Sequence, residues 1–327
     1  MREIQRVLFV RTDRMGDVLM NLPALRLLRQ TFPKAWLTLL VDVSVAGLFK
    51  GHPDVDELMT VDAARFKRDF YYRWHLVKVL KRASFDLAVV SNPDKWLHAV
   101  VFAARIPHRV GYARKWGFML TKKMPDRKAA AHRHEIDMNL ELASLACDRT
   151  WDGHVELPVD DVARRDVRGL FLRDLPGDRP VVAIHPGTSN PKKRWDEGRF
   201  AEICRRLSAE GFGTVLIGGP EEKEASARVA AASGVAPADW TGAFSLACLA
   251  AFFSEPRVRA LVSSDSGPVH VAWISGVPVV ALYASDVEGS DPVRWGPRDK
   301  KSVTIHKSMA DITADEVYAA LKKVLAA

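Results

Sequence analysis

The segment at residues 263–283 constrains the fold of this chain more than any other feature. It reads SSDSGPVHVAWISGVPVVALY, which predicts the end of a strand, a tight turn, a short helix and a second strand with no residues to spare. Pro268 falls at the start of the helix, where a missing N–H is tolerated, and Gly276 ends the helix. A strand, a helix and a strand in this order form the unit of a parallel, doubly wound α/β sheet, in which the helix begins at the carboxyl end of a strand.

The turn of this segment suits an anion. Backbone N–H groups at residues 266, 267 and 269 and the positive end of the helix dipole favour a phosphate, and each such charge interaction is worth about 0.3–1 kcal/mol at an exposed helix end. Asp265 lies at the turn, and His270 lies on the first helical turn. The alternative is that Asp265 or Ser266 only caps the helix while His270 lies on its surface.

The length of 327 residues suits two α/β domains of about 150 residues each. Apolar runs and helical spacings alternate in both halves, which predicts two Rossmann-like domains that enclose a cleft. We place the boundary in the polar stretch 155–177, so that the first domain spans residues 1–170 and the second spans 171–327. Besides the opening segment, strands are predicted at 6–10, 36–41, 58–61, 87–91, before Gly111, at 181–185 and at 215–218. Helices are predicted at 68–82, 96–104, 135–146, 221–232, 246–253 and 314–325, and two more around Leu22 to Leu28 and Phe200 to Leu207. The last helix could pack on either domain.

The net charge of +8 lies entirely in the first part of the chain. Residues 1–175 contain 30 Lys and Arg against 22 Asp and Glu, and the remainder contains 18 of each. The excess is concentrated at 65–82 and 105–133, where basic residues are mixed with Phe, Tyr and Trp. Such surfaces contact nucleic acid, an anionic membrane or a phosphorylated acceptor, and the alternative is a solvated helix face.

The chain has no run of 18 uncharged apolar residues, and its first residues do not resemble a secretory signal, so we expect it in the cytoplasm. The three cysteines are far apart in helical apolar patterns, which predicts buried free thiols in a reducing compartment. No metal site is predicted, because Asp54 and Asp56 are interpreted as part of a loop and because His132 and His134 lack a third ligand.

The loop after the first strand, RTDRMGDVLMNLPALR, places an acid at the carboxyl edge of the sheet. It contains one glycine, Gly16, and therefore lacks the GxGxxG pattern of a dinucleotide site. We expect Gly16 to allow a sharp turn that directs Asp17 across the cleft, and Asp13 is a weaker candidate for the same role. The alternative for Asp17 is a helix cap.

Residues 185–200, HPGTSNPKKRWDEGRF, follow another strand and combine a turn with a basic cluster. Hydroxyl and amide groups at 188–190 and three cations at 192–194 suit a diphosphate, whereas a solvated loop with a packed Trp195 is the alternative. The sequence GGPEEKE at 218–224 permits close approach of a ligand to the backbone, and a carboxylate there could accept hydrogen bonds from ribose hydroxyls.

Four stretches, MGDVLMNLPALRLLRQTFP, HPGTSNPKKRW, GGPEE and SDSGPVHVA, occur in an order and at a spacing that resemble glycosyltransferase family 9, the ADP-heptose lipopolysaccharide heptosyltransferases. The resemblance runs nearly end to end. It implies the GT-B fold of two Rossmann-like domains, inverting chemistry and no metal requirement. It also implies ADP-heptose as a nucleotide-sugar co-substrate, a phosphorylated lipid-linked saccharide as acceptor, contact with the inner face of the cytoplasmic membrane, and no nucleic-acid partner.

The same resemblance implies roles for individual residues. Asp17 matches the acid of the MGD motif and would be the general base. Lys193 and Thr188 would hold the diphosphate, and Glu222, which matches the acid of the GxPxE motif, would bind the nucleoside. The donor sugar and its phosphate would contact Asp265, Ser266, Gly267 and His270, and further candidate site residues are Asp13, Gly16, Ser189, Lys192, Arg194 and Phe244.

Two features depart from the family pattern. Ser266 stands where threonine is common, and KKR stands where a single lysine often precedes the aromatic pair, which leaves open the sugar that is transferred. The rival interpretations are a nicotinamide oxidoreductase, which would need the missing glycine pattern, a GT-B sugar-nucleotide epimerase, and a non-catalytic nucleotide- or nucleic-acid-binding module. Stabilisation by ADP-, UDP- or GDP-sugars would separate them.

Overall fold

The computed structural model describes residues 3–127 and 132–326 of the chain. The chain divides into two compact units, Met1–Pro158 and Val159–Ala327. The division comes earlier than the predicted boundary at 170/171. Part of the second basic stretch, residues 128–131, lies outside the described residues.

The described part of the first unit contains a six-stranded parallel sheet in the order β3-β2-β1-β4-β5-β6. Its strands are β1 (Arg6–Val10), β2 (Trp36–Asp42), β3 (Glu57–Val61), β4 (Leu87–Val90), β5 (His108–Tyr112) and β6 (Lys122–Met124), and its helices are α1 (Met15–Leu19), α2 (Leu22–Thr31), α3 (Ala63–Arg68), α4 (Phe70–Ala83), α5 (Lys95–Ala103) and α6 (Glu135–Ser144). In the register of the central strands, Val7 lies opposite Leu37 on one side and Leu87 on the other. The central strands β1 and β4 are apolar along most of their length because helices cover both faces of a parallel sheet.

The second unit, as far as residue 326, repeats this architecture in the order β12-β11-β10-β7-β8-β9. Its strands are β7 (Val181–His185), β8 (Gly213–Leu216), β9 (Ala238–Asp239), β10 (Val258–Ser264), β11 (Val279–Ala284) and β12 (Val303–Lys307), and its helices are α7 (Asp161–Asp174), α8 (Glu197–Ala209), α9 (Lys223–Ser233), α10 (Leu246–Phe253), α11 (Gly267–Ile274), α12 (Pro292–Trp295) and α13 (Ala314–Ala326). Counted from the start of its unit, each sheet has the strand order 3-2-1-4-5-6 of a Rossmann domain.

Helix α7 contains the predicted cut at 170/171, whereas the division at 158/159 falls inside the predicted stretch 155–177. This helix occupies most of the stretch that was interpreted as a polar connection, and it packs against α10 in the second unit. Asp160 caps it by accepting the N–H groups of Val162 and Ala163 at 2.9 and 3.2 Å. The buried positions Ala163, Val167 and Phe171 recur every four residues, which is the spacing of one helix face.

The predicted strands and helices are confirmed apart from shifted ends, but three strands were not predicted. These are β6, β9 and β12, which are short or carry polar residues and lie at or near a sheet edge. An edge strand pairs on one side only and is partly solvated, so its sequence lacks the continuous apolar run of a central strand.

The last helix belongs to the second unit, which settles a point that the sequence left open. The buried residues of α13 join one hydrophobic core with Val182, Phe200 and Leu282. Lys322 of α13 also lies 2.5 Å from Glu210, which follows α8.

The three thiols are free, as predicted, although only Cys204 and Cys248 are buried and Cys147 is half-buried. Burial raises the pKa of Cys204 to about 12 and that of Cys147 to about 11, so both thiols stay protonated and unreactive near neutral pH. Within the described residues, no helix has the length and hydropathy needed to cross a membrane.

Candidate functional site

Each sheet reverses its strand order at one point, and the loops that follow the two diverging strands are the usual ligand sites of such sheets. In the first unit these loops follow β1 and β4, and in the second unit they follow β7 and β10. The candidate residues of the sequence motifs fall on these loops or beside them.

Lys193 and Asp265 form an ion pair in the second unit. Lys193 ends a short 3₁₀ turn, Pro191–Lys193, that is capped by Asn190, and Asp265 directly follows β10. The Lys193 Nζ lies 2.5 Å from the Asp265 Oδ2, and the two side chains are only 18% and 10% exposed. The structure thus joins two loops that the sequence assigned to one ligand, and the carboxylate fixes the position of the ammonium group.

His185, the last residue of β7, connects three other side chains. Its Nε2 lies 3.1 Å from Glu222 Oε2, and its Nδ1 lies 2.9 Å from Ser263 Oγ and 3.2 Å from Ser266 Oγ. Because an ionised carboxylate only accepts hydrogen bonds, Nε2 donates to Glu222, and in the neutral ring Nδ1 accepts from a serine hydroxyl. The imidazole therefore holds Glu222 and Ser266 at a fixed separation.

Glu222 fills a space that two glycines leave open. A Cβ added to Gly187 would lie 1.9 Å from Glu222 Oε1, and one added to Gly218 would lie 2.6 Å from Oε2. Burial opposes ionisation of this carboxyl, but the hydrogen bonds from His185 and from the N–H of Gly219 outweigh it and hold the pKa of Glu222 below its ordinary value. The site therefore presents an ionised carboxylate that can accept hydrogen bonds from a ligand.

Helix α11 begins at Gly267, beside this network. Ser266 is its N-cap residue by backbone geometry, but the serine side chain makes no capping hydrogen bond and instead contacts His185. The N–H of Val269 donates to the carbonyl of Ser266 at 3.2 Å, so the prediction that this group is free for an anion is wrong. His270 is 4% exposed, with its ring centroid 6.4 Å from that of Trp295, which excludes the alternative that it is a surface residue.

The basic loop is anchored at its end by Trp195. This side chain is fully buried, and its Nε1 donates to the carbonyl of Ile312 at 2.9 Å. Thr188 is 8% exposed and accepts the N–H of Asn190 at 3.3 Å. The other candidates on this loop, Ser189, Lys192 and Arg194, are exposed. Of the three cations, only Lys193 is fixed by an ion pair with Asp265.

Phe244 lies in an aromatic cluster of the second unit. Its ring centroid is 5.8 Å from that of Trp240 and 5.3 Å from that of Phe252, and its side chain is half-buried. The N–H of Gly242 donates to the carbonyl of Gly218 at 2.8 Å, which brings this segment against the Glu222 loop. Packing therefore accounts for the Phe244 contacts seen here.

Arg11 organises the acids of the first unit, and the sequence did not indicate this. It is 4% exposed, with its Nε 2.6 Å from Asp13 Oδ1, its Nη2 2.7 Å from Asp17 Oδ1 and its Nη1 4.0 Å from Oε1 of the buried Glu135. Nη1 also donates to the carbonyl of Ser91 at 3.0 Å, just after β4. Burial alone would lower the pKa of Arg11, but the three carboxylates outweigh it and raise that pKa above its ordinary value.

Asp17 is the third residue of α1, with a side chain that is 25% exposed. The N-cap position of α1 is Arg14, so the alternative that Asp17 is the N-cap residue does not apply. Gly16 is the second residue of the same helix and its backbone is helical, so the predicted sharp turn at Gly16 is wrong. The turn into the helix lies at residues 11–14 instead.

A cavity of about 560 Å³ opens beside this acid cluster, at the carboxyl ends of β1 to β5. Asp42 accepts the N–H of Ala63 at 2.8 Å, and Asp94 caps α5 by accepting the N–H of Trp96 at 2.8 Å, so backbone donors already occupy both carboxylates. The cations Arg14, Lys67 and Lys115 also line it, and the remaining lining residues are Thr12, Asp13, Ser44, Ala64, Phe66, Asn92 and Pro93. The cavity is therefore polar, and three cations and three carboxylates line it.

Asp54 and Asp56 have structural partners, as their interpretation as a loop predicts. Arg26 Nη1 lies 2.8 Å from Asp54 Oδ1, and Arg29 pairs with Asp56. Within residues 3–127 and 132–326, no group of three or more His, Cys, Asp and Glu side chains is arranged to hold a metal ion.

Comparison with known proteins decides the family. A family model described as glycosyltransferase family 9 (heptosyltransferase) matches residues 73–320. The chain belongs to glycosyltransferase family 9. Lipopolysaccharide heptosyltransferase 2 of Escherichia coli strain K12 is 25% identical to this glycosyltransferase over an alignment of 348 residues, which covers 98% of each protein.

Solved structures agree on the fold of this glycosyltransferase. A family 9 glycosyl transferase from Veillonella parvula superposes with a TM-score of 0.87 at 24% identity, covering 98% of this chain and 97% of that one. An Escherichia coli heptosyltransferase solved with ADP gives a TM-score of 0.75 at 21% identity, covering 98% of this chain and 100% of that one. The predicted GT-B fold and the predicted family are therefore confirmed.

Proposed function

We propose that this glycosyltransferase moves a heptose from ADP-heptose to a phosphorylated, lipid-linked saccharide of the lipopolysaccharide inner-core type, with inversion at the anomeric carbon. Family membership supports the class of reaction, and the name of the Escherichia coli relative supports the acceptor. The observation that best supports a donor site in the second unit is the His185 network. It fixes a carboxylate and a hydroxyl at the point where the second sheet reverses its strand order.

The donor nucleotide would bind to the second unit. Ionised Glu222 only accepts hydrogen bonds, which suits the ribose hydroxyls. The diphosphate would lie between Lys193 and the start of α11, with Thr188 beside it, because an ammonium group and a helix N-terminus both favour its charge. Asp265 would hold Lys193 in place before the donor binds. Once the diphosphate contacts Lys193, Asp265 would accept a hydrogen bond from a hydroxyl group of the donor sugar.

The chemical step would be a direct displacement. Asp17 would take the proton of the acceptor hydroxyl while the acceptor oxygen bonds to the anomeric carbon. The bond between that carbon and the β-phosphate oxygen would break on the opposite face, and ADP would leave with the bonding electrons. A positioned base of this kind typically contributes about 10²- to 10⁴-fold to the rate. Arg11 would hold the Asp17 carboxylate in its orientation.

We further propose that the transfer needs no metal ion. The negative charge that develops on the departing ADP would be stabilised by Lys193 and by the N-terminus of α11, the role that a bound cation has in many other enzymes. Full activity in the presence of EDTA is expected. Loss of activity in EDTA that a divalent cation restores would overturn this part of the proposal.

The acceptor would bind in the cavity of the first unit. Its three cations, Arg14, Lys67 and Lys115, suit the phosphates of a phosphorylated saccharide, and its three carboxylates, Asp13, Asp42 and Asp94, suit the hydroxyl groups. A lipid-linked acceptor would place the reaction at the cytoplasmic face of the inner membrane.

Thermal unfolding with a panel of nucleotide sugars tests the donor assignment. A ligand at 100 times its dissociation constant stabilises the folded state by about 2.7 kcal/mol, which is readily measured as a rise in Tm. ADP-heptose should raise the Tm, and UDP- and GDP-sugars should not. The Glu222→Gln variant should lose most of the rise. A Tm rise with UDP- or GDP-sugars alone, or with no nucleotide sugar at all, would contradict the proposal.

A further inference from the structure

Helix α4 exposes large aromatic side chains at its start. Phe70 is 63% exposed, Tyr71 is 82% exposed and Trp74 is 48% exposed. The opposite side of the helix is buried in the core through Leu76 and its neighbours. A soluble protein rarely exposes adjoining aromatic side chains without a function for them.

The same surface of α4 becomes basic toward its end. Lys78, Lys81 and Arg82 are exposed and follow Tyr71 and Trp74 at helical spacings. We call the six residues Phe70, Tyr71, Trp74, Lys78, Lys81 and Arg82 the aromatic–basic face.

Helices α3 and α4 carry mostly positive charge. Residues 63–83 contain seven Lys and Arg and a single acid, Asp69. That acid is occupied, because it accepts the N–H of Tyr72 at 2.9 Å and pairs with Arg65 at 3.0 Å. The exposed aromatic rings are therefore accompanied by a strong excess of cations.

Helix α4 follows a helix that lines the cavity of the first unit. The short helix α3 directly precedes α4, and its residues Ala63, Ala64, Phe66 and Lys67 line that cavity. A molecule anchored in a surface that contacts α4 would therefore reach the proposed acceptor cavity along α3.

We propose that the aromatic–basic face docks on an anionic membrane surface. Phe70, Tyr71 and Trp74 enter the interfacial layer, and Lys78, Lys81 and Arg82 contact the anionic headgroups. Exposed helices with aromatic and basic residues bind in this way, since the rings prefer the interface and the cations are attracted to its negative potential. The aromatic side chains cluster at one end of the helix and are not among the residues that line the cavity of the first unit, whereas rings that stack on successive nucleic-acid bases lie along a binding groove.

The role of this docking in catalysis rests on the proposed function, because a lipid-linked acceptor is the reason for the enzyme to bind a membrane. Docking through α4 brings the entrance of the acceptor cavity to the bilayer. The enzyme then meets its acceptor by diffusion in two dimensions.

Vesicle binding without donor or acceptor tests the docking by itself. Phosphatidylcholine vesicles with and without phosphatidylglycerol are sedimented with wild-type protein at rising salt concentration. Binding is expected only with phosphatidylglycerol, and it should weaken as salt rises because screening reduces the attraction. Equal binding to both kinds of vesicle, or none to either, would overturn the proposal.

Two sets of variants locate the contact. The combined change Phe70→Gln, Tyr71→Gln and Trp74→Gln should lower vesicle affinity by about tenfold or more. The matched control is Leu172→Gln, which changes a residue that is 78% exposed on α7. Loss of affinity in this control, or none in the aromatic variant, would overturn the proposal.

The second set removes charge. Changing Lys78, Lys81 and Arg82 to Gln should cost about fivefold in affinity for each charge, whereas changing the exposed Lys300, Lys301 and Lys323 to Gln should not. Equal losses in the two sets would contradict docking through α4. Tighter binding to a single-stranded RNA than to vesicles, lost in the α4 variants, would assign the face to nucleic acid.

A donor measurement separates this proposal from the proposed function. The Tm rise with ADP-heptose should be the same in the α4 variants and in the wild type, because none of the changed residues belongs to the second unit. Absence of that rise in every protein, with vesicle binding intact, would reject the donor and leave the docking in place.

Discussion

The guanidinium of Arg11 lies 2.7 Å from the carboxylate of Asp17, in an ion pair whose cation is almost completely buried. The same guanidinium reaches Asp13 and Ser91, so the loop after β1 is tied to the loop after β4. A neighbouring cation favours the ionised form of a carboxylate, which is the form that a general base requires. The pair therefore fixes the direction of the Asp17 carboxylate.

Replacing Asp17 tests the base. Asp17→Asn should fold and bind the donor as the wild type does, and its kcat should fall by about 10²- to 10⁴-fold, because only the proton acceptor is lost. The measurements are kcat with donor and acceptor and the affinity for ADP-heptose by calorimetry. Near-normal turnover would remove Asp17 from the role of base.

Replacing Arg11 should affect stability as well as turnover. Arg11→Gln leaves Asp13, Asp17 and the buried Glu135 without their common cation, and loss of one partner of a buried ion pair typically costs about 3–5 kcal/mol. Arg11→Lys should lose less, since it keeps the charge. The control is Arg133→Gln, which breaks a half-exposed pair with Glu141 and should cost at most about 1 kcal/mol. Equal losses in urea unfolding for the two glutamine variants would contradict the assigned role.

Replacing Lys193 tests the diphosphate contact. Lys193→Ala should weaken binding of ADP-heptose by about tenfold or more, because a charge-assisted hydrogen bond is worth about 1.5–3 kcal/mol. Arg194→Ala, which removes an exposed cation next in the chain, is the matched control and should have a smaller effect. Unchanged affinity and rate for Lys193→Ala would move the role to Lys192 or Arg194.

A methyl group at residue 187 should disturb the nucleoside contact without touching the ligand directly. Gly187→Ala would displace Glu222, whose Oε1 lies 1.9 Å from the added Cβ position, so donor affinity should fall. Gly169→Ala in α7 is the control, because nothing lies within 4 Å of its Cβ position and alanine favours a helix by about 1 kcal/mol. Unchanged ADP binding by Gly187→Ala would show that donor binding does not need Glu222 in its observed position.

The ionisation of Glu222 predicts a pH dependence of stability. Its folded-state pKa lies below the ordinary value of 4.5, so the ionised form stabilises the fold. This contribution is complete above the pKa of the unfolded chain and is lost as the pH falls through the lower folded pKa. Between neutral pH and about pH 3, Glu222→Gln should therefore lose less stability than the wild type in denaturant unfolding. Parallel losses in the two proteins would contradict this.

The central strands and most helices could be predicted from the sequence because the apolar residues that each element buries follow the regular spacing of that element. The opening segment 263–283 folds as β10, α11 and β11, as expected. The edge strands β6, β9 and β12 were missed because partial solvation removes that spacing, and α7 was missed because it shows only a narrow apolar stripe in a polar stretch.

Only the site residues that stand in short local motifs could be predicted from the sequence. Asp17, Lys193, Glu222 and Asp265 stand in short stretches whose position after a strand can be read directly. Their partners are not local. Arg11 donates to a carbonyl 80 residues away, and His185 contacts Ser263 78 residues away, so both contacts depend on which strands become neighbours in the sheet.

The most direct test of the central claim is the product of a reaction with ADP-heptose and an inner-core lipopolysaccharide acceptor. Mass spectrometry and NMR of the purified product should find one added heptose with the anomeric configuration inverted relative to the donor, formed with one equivalent of ADP. A product with retained configuration, or transfer from a UDP- or GDP-sugar in place of ADP-heptose, would contradict the account.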